Sequence, residues 1–373
     1  MRDRKKVLIV GTLTDPGNGS ARSYVRICNL MQPYFDMVAV VPDDSGVMGD
    51  VDGRINVIVD SGFGPVRRSL VSVARAPVAC VRFYILLYRI NPDLVHINDI
   101  PWFYLLVPSK MFGSKVIIHS RYFEYNPVAR YLIRLFLKLA DVVVHVSDYN
   151  KKSWGLKGGK SVTIHNPGVF DFVPPDRSVT LPGNYLLVVA RVSEEKGVLN
   201  AIDLFAEVAA FDDTLALVVA GGVTYEYQAE YKGRCVERVN ELGLAGRVHW
   251  LGNVKRPHYL YKKARAFIHL PEFEDPFPTT VMESLVFAPR TITSRKGGIP
   301  EQVDKFSSAL LLDDSQHRPI DRVIEFLYRD QFSDADRDRY HKKFGVSAFS
   351  EALQAVYSAI TRESKSVVSQ RDD

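Results

Sequence analysis

Short apolar runs recur along this 373-residue chain, each followed by a longer amphipathic stretch, and that alternation leaves few folds open. In the first half the runs are Val7–Val10, Met37–Val41, Ile55–Val59, Leu94–Ile97, Val116–His119, Val142–Val146 and Val162–Ile164. The pattern restarts with Tyr185–Val189, Leu215–Ala220, Val248–Leu251, Ala266–Leu270 and Arg290–Thr293. They are continuous and rich in β-branched residues rather than alternating, as strands of a parallel sheet covered on both faces must be. Amphipathic stretches such as Ala21–Met31, Leu199–Ala210 and Tyr227–Leu242 supply covering helices. Between the two sets lies Val173–Gly183, with three prolines and no periodicity, which reads as a linker. The expectation is an α/β chain of two Rossmann-like, doubly wound domains facing across a cleft, over residues 1–172 and 184–345, joined by 173–183. Ligands of such sheets bind at the carboxyl ends of the strands, so function belongs in the loops that follow the apolar runs.

Composition narrows the classes. Hydrophobic residues make up 46% and charged residues 24%, which excludes wholesale disorder. A net charge of +5 favours anionic small molecules or lipid headgroups and gives no ground for a nucleic-acid partner. The three cysteines, Cys28, Cys80 and Cys235, are far apart, so neither a disulfide framework nor a zinc site is expected, and a reducing cytoplasm is the default. Val7–Val10, directly after the charged start Met1–Lys6, reads as a first strand rather than a signal peptide, and no apolar stretch is long enough to span a bilayer.

Several strand-following loops carry chemistry. After Ala266–Leu270 comes Glu272-Phe-Glu-Asp275-Pro-Phe277-Pro-Thr279-Thr280-Val-Met-Glu283, where Pro278 suits the opening of a helix. The free N–H groups of Thr279 and Thr280 would face an anion, and Asp275 and Glu283 could enter the same cleft. Carboxylates for hydroxyls and N–H groups for phosphate suit a nucleotide sugar; an acidic loop before an ordinary surface helix fits equally well. After Tyr185–Val189, Arg191 and Lys196 flank a turn closed by Gly197, a plausible diphosphate clamp or a solvated basic turn paired with Glu194 and Glu195. A third loop, Ser294–Glu301, carries Gly297 and Gly298, which allow close backbone approach. Near the N-terminus, Asp15-Pro-Gly17-Asn-Gly19-Ser-Ala lacks the full dinucleotide spacing but can still bind phosphate at a helix start. His96, His119 and His165 end strands, where a histidine can donate a hydrogen bond, shuttle a proton, or serve structure alone. The Asp-x-Asp strings at Asp50, Asp334 and Asp336 lie away from strand ends and read as chance, so no metal is expected.

Taken in order, these pieces resemble the GT-B fold glycosyltransferases, in particular the large family-four group of retaining enzymes. The resemblance runs through the Gly17–Ala21 loop, Pro92–Ile97, Val116–His119, Asp141–Ser147, His165–Val169, Arg191 to Gly197, Val248–Val254, Asp275 to Glu283 and Gly297 to Glu301. It implies that Arg191 and Lys196 hold the donor diphosphate and that Glu283 binds the ribose hydroxyls. It further implies that Asp275 contacts the donor sugar and that His119 lies near the transferred sugar. Gly17 and Gly19 would sit where acceptor and phosphates meet, and Gly252, Asn253 and Val254 beside the base. It also implies transfer without metal or other cofactor, with retained anomeric configuration. A C-terminal helix, about 346–373, would pack back on the N-terminal domain. Departures from the family pattern are Asp275 for the usual Glu, Ala190 and Ala288 for glycines, and Pro278 and Ser284.

A final segment points to a surface. Between Pro65 and Asn91, Arg68, Arg75, Arg82 and Arg89 recur every seven residues in an otherwise apolar and aromatic stretch, with Pro77 expected to break or kink the helix. It suits either an anionic membrane interface, matching a lipid-linked acceptor, or a core helix with one solvated arginine stripe. The function expected is therefore sugar transfer from a nucleotide-diphosphate sugar, UDP- or GDP-linked, to a saccharide or lipid-linked acceptor. It would serve surface polysaccharide or glycolipid synthesis, in the cytoplasm or on the inner face of the membrane. An epimerase or phosphorylase on the same fold, or a non-catalytic binding protein, stands as the alternative.

Overall fold

A computed structural model of the protein describes residues 4–11, 19–43, 48–65, 70–156, 158–168, 180–254, 257–313, 319–329 and 335–362. The chain divides into two compact units: residues 1–166 together with 347–373, and residues 167–346.

In the first unit the strands are β1 (Lys6–Val10), β2 (Asp36–Val41), β3 (Asn56–Val59), β4 (Leu94–Ile97), β5 (Lys115–Ser120), β6 (Val142–His145) and β7 (Ser161–Thr163). They form one sheet in the order β3-β2-β1-β4-β5-β6-β7, every described pair parallel. Helices α1 (Gly19–Met31), α2 (Leu70–Ile90), α3 (Leu106–Phe112), α4 (Pro127–Leu137) and α5 (Asp148–Trp154) connect them. Strand residues feed alternately into two cores: Val7, Ile9, Ala39 and Ile117 into one, Leu8, Val10, Val95 and Val116 into the other. This two-sided burial is why the runs carry no polar alternation. Pro77 does not break helix α2, which runs through it, and Pro77 itself is exposed.

The second unit holds β8 (Tyr185–Val189), β9 (Ala216–Ala220), β10 (Val248–Gly252), β11 (Ala266–His269), β12 (Thr291–Ser294) and β13 (Ala309–Leu312). Their order is β10-β9-β8-β11-β12-β13, again parallel. The connecting helices are α6 (Val198–Ala209), α7 (Glu226–Glu241), α8 (His258–Lys263), α9 (Thr279–Phe287), α10 (Ile299–Val303), α11 (Ile320–Tyr328) and α12 (Ala335–Phe344). Strand β13 was not expected from the sequence. The last helix, α13 (Val346–Arg362), buries Phe349, Leu353, Tyr357 and Ile360 in the first unit's core beside Val7 and Ile9. In both sheets the chain reverses its winding direction, between β1 and β4 and between β8 and β11. Loops leaving such neighbouring strands diverge, and a crevice opens at their carboxyl ends.

Candidate active site

The reversal in the second unit brings the predicted charges together. Lys196 follows β8 and Asp275 follows β11, neighbouring strands; Lys196 Nζ lies 2.5 Å from Asp275 Oδ2, with side chains 24% and 12% exposed. Burial, the largest single influence, would raise the Asp275 pKa. The Lys196 charge, the neighbouring His269 and the hydrogen bonds from Lys196 and the Phe277 N–H together outweigh it and hold the carboxyl below its ordinary value. Gly197, at φ +64°, closes the Lys196 turn; a Cβ there would sit 1.8 Å from Leu270 O. Asp275 is clamped from the other side. Gly298 N–H donates to its carbonyl at 2.8 Å, Gly297 N–H donates to the Glu274 carboxylate, and a Cβ on Gly297 would meet Asp275 O at 2.0 Å. The paired glycines of the third loop thus position the second.

Glu283, one turn inside α9, is 7% exposed and accepts a hydrogen bond from the Tyr261 hydroxyl at 2.9 Å. No side chain caps the start of α9, where Pro278 occupies the N-cap position and its carbonyl accepts from Gln302 at 2.9 Å. The leading Thr279 and Thr280 are half-buried. Phe277 is buried against Phe344, ring centroids 5.9 Å apart, so its side chain is a packing element. Arg191 is the exposed member, and its guanidinium reaches Glu195 only at 3.8 Å. Next door, Val192 N–H bonds Gly222 O at 3.0 Å, and Gly221 bridges Gly252, which has φ +66°. Asn253 is exposed and its amide closes on Gly222, where a Cβ would fall 2.6 Å from Oδ1. Half-buried Val254 follows. The loops after β8, β9 and β10 are therefore stitched together through the Gly221-Gly222 pair. Paired glycines directly after a strand were the available signal for these two.

His269, the last residue of β11, is another residue that sequence reasoning missed. It is 2% exposed, neither ring nitrogen has a hydrogen-bond partner among the described residues, and burial together with the Lys196 charge pushes its pKa down to about 4. It is a neutral imidazole beside the Lys196–Asp275 pair.

In the first unit His96, His119 and His145 lie on the adjacent strands β4, β5 and β6, all fully buried. The rings of His96 and His119 stack with centroids 5.6 Å apart, and His96 Nδ1 is hydrogen-bonded to the Tyr357 hydroxyl of α13. Arg121 Nη2 contacts His119 Nδ1 at 3.0 Å, while Arg121 Nη1 donates to the carbonyl and side-chain oxygens of Asn98 at 2.9 and 3.0 Å. Burial lowers all three histidines, His96 to about 3 and His145 to about 4, with the Arg121 charge adding to the effect at His96 and His119. His119 Nε2 has no partner among the described residues. His165 is half-buried beyond β7. Gly17 lies outside the described residues, and Gly19 opens α1.

Among the described residues no group of three or more His, Cys, Asp or Glu side chains could hold a metal. Asp52 pairs with Arg54, and Asp336, shared by the second and third Asp-x-Asp strings, accepts from Ser307 and Ser308, which are structural duties. Among those residues, too, no helix is long and apolar enough to cross a membrane.

Two parallel-sheet units, with a cation, carboxylates and an uncapped helix start converging at the winding reversal of the second, define a protein of the GT-B class. Residues 175–344 match the family model described as Glycosyl transferases group 1. The matched stretch lies within the second unit, and the protein is a glycosyltransferase. Comparison with curated protein sequences finds no match. Among solved structures, HepE of Anabaena in complex with UDP and glucose is similar over 95% of this chain and 99% of its own, with 16% identity and a TM-score of 0.77. Sucrose-phosphate synthase of Thermosynechococcus elongatus covers 96% and 100%, at 16% identity and 0.79. The lipopolysaccharide outer core galactosyltransferase WaaB covers 95% and 99%, at 19% identity and 0.67.

Proposed function

We infer that the protein moves a sugar, with retention of anomeric configuration and without metal, from a UDP- or GDP-sugar to a saccharide or lipid-linked acceptor. The observation that carries this reading is the Lys196–Asp275 pair at the β8/β11 reversal, beside the uncapped start of α9. A diphosphate arriving there meets Lys196, exposed Arg191 and the helix dipole. Glu283, already oriented by Tyr261, takes the ribose hydroxyls, and Asp275 takes hydroxyls of the donor sugar. In the transfer the bond between the anomeric carbon and the β-phosphate oxygen breaks, and its electron pair stays on the phosphate. The acceptor oxygen bonds that carbon on the same face, and its proton passes to the leaving phosphate. Charge builds up on phosphate as the bond breaks, so cations fixed there in advance stabilise the transition state by several kcal/mol. Within the first unit His119, near the end of β5, offers a hydrogen-bond donor to a sugar hydroxyl.

HepE was solved with UDP and glucose, which supports a uridine donor. WaaB is a lipopolysaccharide outer core galactosyltransferase, which supports a lipid-linked acceptor in surface polysaccharide or glycolipid synthesis. The test is a thermal-shift screen of nucleoside diphosphates followed by transfer assays. A ligand at 100 times its Kd adds about 2.7 kcal/mol of stability. Lys196→Ala and Glu283→Ala should each abolish transfer while the fold survives, a chelator should leave turnover unchanged, and NMR should find the donor's anomeric configuration in the product. Normal turnover in either variant would remove the site assignment. Donor consumption without an acceptor would favour an epimerase, and no consumption with any acceptor a binding protein.

A further inference from the structure

Helices α2, α3 and α4 pack their inner residues, among them Phe83, Leu106 and Leu137, into one core on one face of the first unit's sheet. Their outward faces therefore share one surface. That surface is apolar where a solvated helix should be polar. On α4, Val128, Tyr131, Leu132 and Leu135 follow helical spacing and are 43% to 67% exposed. On α2, Val81, Ile85 and Tyr88 also follow helical spacing and are 47% to 78% exposed, and Met111 of α3 is 72% exposed. These helices carry no acidic residue at all. Their cations are Arg75, Arg82, Arg89, Lys110, Arg130 and Arg134, of which Arg82 pairs with Asp60 and Lys110 with Asp141.

Beside α4 is a cavity of about 270 Å³ with Leu137, Val143 and Leu156 in its wall and Arg134, Lys138 and Lys160 around it. None of those three cations has a carboxylate partner among the described residues. The arginine stripe of α2 is exposed at Arg75, Arg82 and Arg89, while Arg68 lies outside the described residues. Ala79, Phe83 and Leu87 of α2 are core, and the opposite side is neither buried nor wholly charged.

We propose that the α2–α3–α4 face docks on an anionic phospholipid surface, with the Arg134–Lys138–Lys160 cavity receiving a headgroup phosphate. Exposed apolar stripes at helical spacing, basic neighbours and the absence of acids are complementary to an interface with apolar chains beneath negative headgroups. A soluble protein partner would need acidic residues for those cations and leave the cavity unexplained. The inference deepens the proposed reaction, in that a docked enzyme meets a lipid-linked acceptor in the plane of the membrane.

Flotation of the full chain with vesicles of phosphatidylcholine, alone or mixed with phosphatidylglycerol, tests it without any donor, so failure of the reaction scheme leaves this result readable. Binding should require phosphatidylglycerol and weaken as salt rises. Arg134→Gln/Lys138→Gln/Lys160→Gln should weaken it by on the order of a hundredfold. Tyr131→Ser/Leu135→Ser should weaken it without changing the charge. Both variants should keep wild-type melting and nucleotide-induced stabilisation. Equal binding to neutral vesicles, no flotation, or wild-type flotation by both variants would overturn the proposal. So would complete release by glycerol phosphate, which would assign the cavity to a free anion. A dimer in light scattering that Tyr131→Ser/Leu135→Ser dissolves would assign the face to a second copy.

Discussion

Arg121 Nη2 lies 3.0 Å from His119 Nδ1, and because a guanidinium can only donate, His119 must carry its proton on Nε2. That Nε2–H has no hydrogen-bond partner among the described residues. With the imidazolium form suppressed by burial and by the Arg121 charge, His119 is a neutral hydrogen-bond donor rather than a general base. Replacing His119 with Ala should lower kcat/KM by roughly a hundredfold, the usual loss when one preorganised donor is removed. Arg121→Gln releases the tautomer and should reduce kcat more than it raises KM. The pH–rate profile of the wild type should show no limb near pH 6.5 that disappears in His119→Ala; such a limb would show a titrating base.

Lys196 and Asp275 hold each other before any ligand arrives. Removing the carboxylate in Asp275→Ala leaves a largely buried ammonium unpaired, which should cost about 3 kcal/mol of stability. Transfer should fall as well. The melting temperature should recover partly when a nucleoside diphosphate is added, because phosphate oxygens replace the lost partner. A variant with an unchanged melting temperature would mean that the pair contributes nothing to the free enzyme.

Gly297 offers a sharper test of how the loops hold one another. Its φ of +58°, and the 2.0 Å that would separate an added Cβ from Asp275 O, make Gly297→Ala strained twice over. The substitution should destabilise by about 3 kcal/mol or displace the Asp275 backbone. Transfer should therefore drop although the residue bears no functional group. Gly298→Ala, at a negative φ, is the control and should be milder in both readouts.

These relationships also mark what could be read along the chain. The strands were legible because β-branched runs buried on both faces look alike wherever they occur, and Lys196 and Asp275 stood out as charges at strand ends. Strand β13 was missed because Ala309-Leu-Leu-Leu312 has no β-branched residue and reads as readily as helix. His269 hid in the apolar run Ala-Phe-Ile-His-Leu, where a histidine looks like core, and only the strand order places it by Lys196. Arg121 sits two residues past His119 and acquires meaning only through its hydrogen bond. The clamping role of Gly297 is a contact between loops 22 positions apart, which no local pattern encodes.

The buried histidines give the first unit a built-in sensitivity to acid. His96 and His145 stay neutral in the folded protein down to about pH 3 and 4, and His119 is lowered as well. In the unfolded chain each takes up a proton near pH 6.5. Above that value neither state binds the proton, and these residues impose no pH dependence. Between about pH 6.5 and 4 the unfolded state holds more protons, so stability falls as the pH falls, by about 1.4 kcal/mol per pH unit for each histidine. Asp275, with its lowered pKa, acts only below the ordinary carboxylate range and does not mask this window. Urea unfolding at a series of pH values should therefore give a free energy that declines from pH 6.5 to 4 more steeply than one group allows. His96→Asn should reduce that slope by about one proton's worth, whatever it does to stability at pH 7. A free energy flat across the window would mean that the three rings are hydrated enough to titrate normally.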